Sequence, residues 1–154
     1  MHCIYLVFTI ILKLMMKNNL DIKLEDFPFH HKIKTRWRDL DAFRHVNNAT
    51  FLSYIEDARI LFFKRWKINL KEKSLIVASV KVDYIKQIEH PSNITIGQKI
   101  SRIGTKSYDI LSAIFVEEDN SPACISTVTS VCYDFVKNKS IEVYQEIKND
   151  YMLK

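Results

Sequence analysis

Polar and apolar positions alternate over a short stretch near the start of the chain. One side of an extended chain over residues 31–38 would carry Ile33, Thr35 and Trp37, and the other side would carry lysines and arginines. Successive side chains of a strand point to opposite faces, so this alternation predicts a strand with one buried and one solvated face. Residues 39–48 have no apolar period and are predicted to form a loop.

Apolar residues then recur every three or four positions from Ala49 to Trp66, which predicts a long helix. They are Phe51, Leu52, Ile55, Ala58, Phe62, Phe63 and Trp66, with Tyr54, Ile60 and Leu61 in addition. Because hydrophobic residues cover well over half of the circumference, other structure is expected to enclose this helix. The side chain of Asn47 or Asn48 is suited to cap the first turn, since it can accept a hydrogen bond from an unpaired backbone N–H.

Most of the remaining chain consists of short runs in which apolar and polar residues alternate between turn residues. The predicted strands are 76–84, 94–103, 108–116 and 123–135, and residues 141–151 are predicted to form a short helix. The third of these strands is apolar on both faces, which is typical of the middle of a sheet. A strand, a long apolar helix and four further strands predict an α+β fold, in which an antiparallel sheet rolls around the helix.

The length of 154 residues suits one domain. We assign residues 18–154 to that domain and residues 1–17 to an apolar N-terminal extension. The extension is shorter than the roughly 20 residues that a membrane helix needs, and it lacks the basic start and cleavage site of a secretory signal. It is interpreted as lying upstream of the true start or as disordered. A membrane-associating anchor and a structural element are the alternatives.

The net charge of +5 favours an anionic partner such as a lipid, a nucleic acid or a phosphorylated small molecule. The basic residues are scattered, and four of them alternate along the first predicted strand: Lys32, Lys34, Arg36 and Arg38. This face is interpreted as solvated, with phosphate contacts as the alternative. The sequence has no nucleic-acid-binding motif, so no nucleic-acid partner is expected.

The three cysteines are Cys3, Cys124 and Cys132. The last two are predicted to share one strand, on which eight residues span roughly 26 Å. Bridged Cα atoms must come within about 7 Å of each other, so these two cannot form a disulfide. No cysteine or histidine spacing indicates zinc. Reduced thiols are therefore expected, and with them a cytoplasmic location.

The predicted loop before the helix brings several chemical groups together. Asp39 and Asp41 follow the first strand, and His45 comes shortly before the helix start at Asn47 and Asn48. A helix N-terminus offers unpaired N–H groups and a positive dipole end, which suit a developing oxyanion. Acyl transfer needs that stabilisation and a group that activates water. Two carboxylates so close together in a solvated loop are the alternative interpretation.

Residues 35–59, TRWRDLDAFRHVNNATFLSYIEDAR, resemble the active-site loop and central helix of hotdog-fold thioesterases related to 4-hydroxybenzoyl-CoA thioesterase. The resemblance is strongest to their long-chain acyl-CoA branch, in which a Leu-Asp pair precedes His-Val-Asn-Asn-Ala. The overlap extends over roughly residues 33–151, although only this segment is specific. The resemblance implies the hotdog fold, with an antiparallel sheet wrapped around one long central helix.

The resemblance also implies roles for individual residues. The family's carboxylate, which is a nucleophile or a base for water, falls on Asp41, whereas Asp39 occupies a position that varies between relatives. The amide assigned to the oxyanion falls on Asn48. His45 matches a histidine that is catalytic in the similar plant acyl-carrier-protein thioesterases, but Phe43 replaces the asparagine that accompanies it there. His45 therefore has two interpretations, a structural tie to backbone carbonyls or a group that polarises the thioester or positions water.

Further residues are candidates for substrate binding, each with a structural alternative. Asn47 either contacts substrate or caps the helix. Glu56 lies about 12 Å along the helix. Other hotdog branches use a helix acid as nucleophile, although their loop lacks an equivalent of Asp41; the alternative for Glu56 is an ion pair with a neighbouring basic residue. Lys86, Arg102 and Lys106 are candidates for the phosphates of coenzyme A or for solvated surface charges.

The expected function is hydrolysis of fatty acyl-CoA to fatty acid and CoA, without a metal or another cofactor. The alternatives are an acyl-carrier-protein thioesterase and a non-catalytic acyl-CoA-binding protein. The resemblance implies a homodimer or homotetramer, because hotdog subunits pair sheet edge to sheet edge. Association with a membrane is expected only if the N-terminal apolar segment acts as an anchor.

Overall fold

The computed structural model describes residues 22–69, 73–117, 119 and 121–152. The assignment of residues 1–17 to an apolar extension therefore lies outside the described residues. The elements in chain order are β1 Phe29–Lys34, α1 Asn48–Phe63, β2 Ser74–Tyr84, β3 Asn93–Ile103, β4 Ser107–Val116, β5 Cys124–Asp134, β6 Lys139–Ser140 and α2 Gln145–Met152. A 3₁₀ turn at Trp37–Asp39 follows β1, and another at Lys64–Trp66 continues α1.

The strands form one antiparallel sheet in the order β1-β3-β4-β5-β2, and the short β6 pairs with β5. Helix α1 lies against the inner face of this curled sheet. Its buried residues Tyr54, Ile55 and Phe62 pack into two apolar clusters with residues of β3 and β4 such as Ile96 and Ile110. The α+β fold, the central position of β4 and a long helix after β1 were all predicted correctly from the hydrophobic pattern.

Two predictions about buried faces were wrong. Trp37 was placed on the buried face of the first strand, but its side chain is 73% exposed. Strand β1 ends at Lys34, and the carboxylate of Asp39 then accepts a hydrogen bond from the backbone N–H of Arg36 and stabilises a 3₁₀ turn instead. Helix α1 is also not enclosed on every side, because Leu52 and Ile60 remain 41% and 48% exposed. The single sheet covers only one side of the helix.

The outer face of the sheet carries a smaller apolar cluster, in which Phe27 packs against β4 and β5. Gly97 of β3 lies directly beneath Phe27, since a Cβ atom at Gly97 would come within 2.6 Å of the Phe27 ring. This glycine therefore provides the space in which Phe27 is 2% exposed.

Gly97→Ala is expected to lower the free energy of unfolding by about 1–3 kcal/mol, because Phe27 must move away from the sheet. Urea unfolding followed by circular dichroism measures this change. Thr95→Ala serves as the control, because Thr95 is a half-buried residue on the same strand. An alanine at Gly97 that left stability unchanged would show that Phe27 can shift without loss of packing.

Both cysteines in the described part of the chain, Cys124 and Cys132, are free and buried in β5. Burial raises the pKa of the Cys124 thiol to about 12 and also raises the pKa of Cys132. These thiols therefore stay protonated and contribute to packing. Across the described residues, no helix has the length and apolar character required to span a membrane.

Candidate active site

The loop between the 3₁₀ turn and α1 folds back on itself as a tight hairpin. Leu40 and Val46 form an isolated β-bridge, and the backbone N–H of Asp41 donates to the carbonyl of His45 over 2.8 Å. Arg44 closes the turn with φ at +65°, a left-handed conformation that is uncommon for residues other than glycine. The hairpin thus holds Asp41 and His45 on opposite strands of one short turn.

The two oxygens of the Asp41 carboxylate differ in their hydrogen-bond partners. Oδ1 accepts hydrogen bonds from the backbone N–H groups of Phe43 at 2.8 Å and His45 at 3.2 Å. Oδ2 has no hydrogen-bond partner among residues 22–69 or the other described segments. Two backbone donors therefore fix the orientation of this carboxylate and leave one oxygen available for a ligand.

The start of α1 lies beside this hairpin. Asn47 is the N-cap, and its side-chain oxygen accepts a hydrogen bond from the backbone N–H of Ala49 over 2.8 Å. Asn48 is the first residue of the helix, and its own backbone N–H has no partner in the described part of the chain. An unpaired amide at the positive end of the helix dipole can donate to an anionic oxygen.

Tyr84, the last residue of β2, joins this strand to the helix start. Its hydroxyl donates to the backbone carbonyl of Asn48 over 3.0 Å. Its ring meets that of Phe51 edge to face, with 5.4 Å between centroids. Burial raises the pKa of Tyr84, so its hydroxyl stays protonated and can donate.

These groups surround an open cavity of about 470 Å³. The polar residues that line it include Asp41, His45, Asn48 and Lys86, and the aromatic ones are Phe43, Phe51 and Tyr84. This volume lies within the range of small-molecule sites in proteins, about 300–1,000 Å³. The cavity combines a carboxylate, an imidazole, a helix-start amide and apolar walls, which together suit the cleavage of an ester or thioester with an apolar acyl group.

A sequence model of the Thioesterase-like superfamily matches residues 35–150, which is more than half of the chain. The chain belongs to this superfamily. Membership makes it a thioester hydrolase and confirms the resemblance to hotdog-fold thioesterases that residues 35–59 indicated.

The thioesterase is similar to known proteins over most of its length. It is 24% identical to the long-chain acyl-CoA thioesterase FadM of Escherichia coli over 122 residues, which are 76% of this chain and 92% of FadM. It is 35% identical over 85 residues to the uncharacterized protein YsmA of Bacillus subtilis, and this match spans only 53% of the chain and 56% of YsmA. The chain thus spans about half the length of that relative.

Solved structures share the fold. A thioesterase of Thermus thermophilus, crystallised with coenzyme A and Zn, superposes with a TM-score of 0.73 at 28% identity and covers 81% of this chain and 98% of its own. A protein from Pseudomonas aeruginosa superposes with a TM-score of 0.77 at 23% identity and covers 85% and 94%. In the described part of this thioesterase, no group of histidine, cysteine, aspartate or glutamate side chains could hold a metal ion.

The cavity of the thioesterase brings together four of the eight candidate residues named from the sequence: Asp41, His45, Asn48 and Lys86. The candidates on helix α1 and at its cap, Glu56 and Asn47, do not line it. Asn47 uses its side chain for the cap. Glu56 is 63% exposed, forms a 3.1 Å ion pair with Arg59, and lines a separate groove between α1 and β2.

Lys86 lines the cavity but is already paired. Its ammonium group donates to Asp119 over 2.6 Å and also contacts the hydroxyl of Ser121. The hydrogen bonds from Lys86 and Ser121 lower the pKa of Asp119 to about 2. Arg102 and Lys106 do not line the cavity: Arg102 binds Asp109 through two hydrogen bonds.

Tyr84 was not recognised as a site residue from the sequence, where it is one of several alternating apolar residues of a strand. Only its contact with Asn48, 36 positions away, distinguishes it. The one feature of the sequence that could have indicated a site residue was the position of Tyr84 at the end of a predicted strand, before a polar turn.

Proposed function

We propose that this thioesterase cleaves fatty acyl-CoA to a free fatty acid and CoA. The observation that carries the proposal is the carboxylate of Asp41, which two backbone amides orient. It lines the same cavity as Asn48, the residue whose backbone N–H is unpaired. No basic side chain neutralises this carboxylate within the described segments. An oriented and unneutralised carboxylate suits a general base or a nucleophile.

In the general-base route, Asp41 accepts a proton from water while the water oxygen attacks the thioester carbonyl carbon. The backbone N–H of Asn48 donates to the oxyanion that forms, and the positive end of α1 stabilises it further. When the C–S bond breaks, the CoA thiolate leaves and takes up the proton that Asp41 accepted. In the nucleophilic route, Asp41 attacks the same carbon and expels the thiolate, and water then hydrolyses the resulting anhydride.

His45 is assigned to the same reaction. His45 lines the cavity. Its imidazole forms no hydrogen bond to a backbone carbonyl in the described ranges, so no contact supports the alternative that His45 ties the loop to backbone carbonyls. The ring can polarise the thioester carbonyl or position the attacking water.

Coenzyme A as the carrier is supported by two relatives. FadM is named a long-chain acyl-CoA thioesterase, and the Thermus thermophilus enzyme was crystallised with coenzyme A. In this chain, Lys86 is the basic residue of lysine or arginine type that lines the cavity, and its ammonium group can bind the phosphates of the nucleotide.

Lys86→Met is expected to raise KM for acyl-CoA by about threefold and leave kcat unchanged. The effect is small because Asp119 already offsets part of the charge, and a partly exposed ion pair contributes only about 0–1 kcal/mol. Steady-state kinetics on acyl-CoA and on an N-acetylcysteamine thioester, which lacks phosphates, measure it. If KM rose equally for both substrates, Lys86 would not contact the nucleotide.

A homodimer through the β2 edge is also proposed. β2 is an edge strand of 11 residues, so one row of its backbone donors and acceptors has no partner strand. Val77 and Val80 of β2 are 40% and 45% exposed, and Leu52 of α1 beside them is 41% exposed. A second copy of the same edge can pair with it in antiparallel fashion and cover these side chains, as a two-fold interface requires. A homotetramer would then be a pair of such dimers.

Release of free thiol from a panel of acyl-CoAs tests the proposed function. The panel runs from short to long chains and includes an aromatic thioester. We expect the highest kcat/KM with a fatty acyl-CoA. Cleavage of carrier-protein thioesters alone would make the protein an acyl-carrier-protein thioesterase, and binding without turnover would make it a non-catalytic acyl-CoA-binding protein. A cytoplasmic location, proposed from the reduced thiols, agrees with an acyl-CoA substrate.

A further inference from the structure

The two acidic residues of the loop occupy different environments. Asp41 lines the cavity, whereas Asp39 is only 4% exposed and does not line it. A carboxylate that deeply buried is costly unless several donors bind it. Its partners therefore indicate what it does.

The carboxylate of Asp39 binds two separate parts of the chain. The hydroxyl of Tyr54, on the second turn of α1, donates to Oδ2 over 2.5 Å. Arg36 donates its backbone N–H to the same oxygen over 2.7 Å and its Nε to both oxygens at 3.1 Å. Tyr54 is 0% exposed, so this hydrogen bond joins the loop to the middle of the buried helix.

The backbone of Asp39 makes a second connection to the helix. Its carbonyl oxygen accepts from the N–H of Asn47 at 2.8 Å and from the hydroxyl of Thr50 at 3.4 Å. Asn47 and Thr50 flank Asn48 in the chain. The backbone of Asp39 is thus bound to residues before and after Asn48 at the start of α1. Asp41 is only two residues further along the chain.

We propose that Asp39 and Tyr54 are positioning residues, which hold the Asp41 hairpin at a fixed separation from the N–H of Asn48. The proposal rests on the proposed function, because the separation matters for rate only if these two groups act on one thioester. Neither Asp39 nor Tyr54 touches the substrate cavity. The effect of both is transmitted through the backbone between Asp39 and Asp41 and through α1.

The ionisation of the pair agrees with this arrangement. Burial acts to raise the pKa of Asp39, but the hydrogen bonds from Arg36 and Tyr54 outweigh it and hold this pKa below the ordinary value of an aspartate. Burial and the neighbouring Asp39 raise the pKa of Tyr54. At neutral pH, Asp39 is therefore an acceptor and Tyr54 a donor, as their hydrogen bond requires.

Tyr54→Phe removes the hydroxyl and keeps the ring in the core. We expect kcat to fall about tenfold with KM within twofold of the wild type, because small misplacements of catalytic groups reduce the rate more than binding. We also expect faster hydrogen exchange at the hairpin amides of Asp41, Val46 and Asn47. Exchange followed by mass spectrometry reports the position of the hairpin independently of activity.

Tyr108→Phe is the matched control. Tyr108 is also 0% exposed, but it lies on β4 beside Trp66, with 5.7 Å between ring centroids, and does not contact the loop. This variant should keep the wild-type kcat and the wild-type exchange of the hairpin. Asp39→Asn, Tyr54→Phe and the variant with both changes form a double-mutant cycle. If the two residues act as a unit, kcat of the double variant should be no lower than that of the slower single variant.

The results separate a positioning role from general stabilisation. If Tyr54→Phe lowered the melting temperature but kept both kcat per folded enzyme and the exchange of the hairpin, the proposal would be overturned. Failure of Asp39→Asn to fold would leave the Tyr54→Phe data decisive. If the wild type cleaved no acyl-CoA, the proposed function would fail, and hairpin exchange in Tyr54→Phe would still decide whether Asp39 and Tyr54 hold the loop.

Discussion

Asp41→Asn is expected to reduce kcat on acyl-CoA by about 10²–10⁴-fold, the contribution that a positioned general base makes to a reaction. Asparagine has nearly the same shape, and its side-chain oxygen can still accept from the N–H groups of Phe43 and His45, which bind Oδ1 in the wild type. An amide NH₂ group replaces the other oxygen, Oδ2. This group neither accepts a proton from water nor attacks a carbonyl carbon. The fold and the hairpin should therefore remain intact while the chemical step fails.

Steady-state kinetics, together with thermal unfolding, separate these two effects. KM should change little, because Asp41 acts on the reacting carbon more than on the rest of the substrate. Asp26→Asn is the control, since Asp26 is an exposed carboxylate that accepts a hydrogen bond from the backbone N–H of Lys23 and does not line the cavity. An Asp41→Asn enzyme with the wild-type kcat would remove Asp41 from the mechanism.

The second large effect is expected at the edge of the sheet. Val80→Asp should convert the proposed β2-edge dimer to a monomer, because a symmetric interface there would bury one uncompensated carboxylate from each copy. A buried charge without a partner costs about 3–5 kcal/mol, and each 1.4 kcal/mol corresponds to about a tenfold change in a dissociation constant. The dimer should therefore weaken by at least about a hundredfold.

Sedimentation velocity over a range of concentrations measures this change. Val136→Asp is the control, because Val136 is 97% exposed in the turn between β5 and β6, eight residues beyond Val128, the residue of β5 that pairs with Val80. It should remain dimeric. A Val80→Asp protein that dimerised as tightly as the wild type would exclude the β2 edge as the interface, and a monomeric wild type would exclude the dimer itself.

Local sequence patterns predicted much of the fold. The helix from Ala49 to Trp66 was predicted from the spacing of its apolar residues, and β4 from its apolar character on both faces. Trp37 was misplaced because alternation alone does not reveal where a strand ends. The carboxylate of Asp39, two residues later, draws the backbone of Arg36 into a turn, and this competition is not visible in a hydrophobic pattern.

The candidate site was predictable where its residues are close in sequence. Asp41, His45 and Asn48 lie within one loop and helix start, so one segment carried the whole signal. The contacts that a sequence does not reveal are those between distant residues. Asp119 lies 33 positions from Lys86, and Tyr84 lies 36 positions from Asn48.

Asp39 shows a further limit of sequence reasoning. Its spacing from Asp41 indicated a pair of similar carboxylates, one of them at a variable position. Burial distinguishes them, because Asp39 is enclosed by Arg36 and Tyr54 while one oxygen of Asp41 stays unpaired. Only the packing of α1 on the loop, which depends on the complete fold, determines this difference.

The central claim is that this thioesterase hydrolyses acyl-CoA through Asp41. Its most direct test is the rate of free thiol release from one fatty acyl-CoA, measured side by side for the wild type and folded Asp41→Asn. We predict release by the wild type well above spontaneous hydrolysis, and release by the variant close to the spontaneous rate. Equal rates for the two proteins, or no release by the wild type, would contradict the claim.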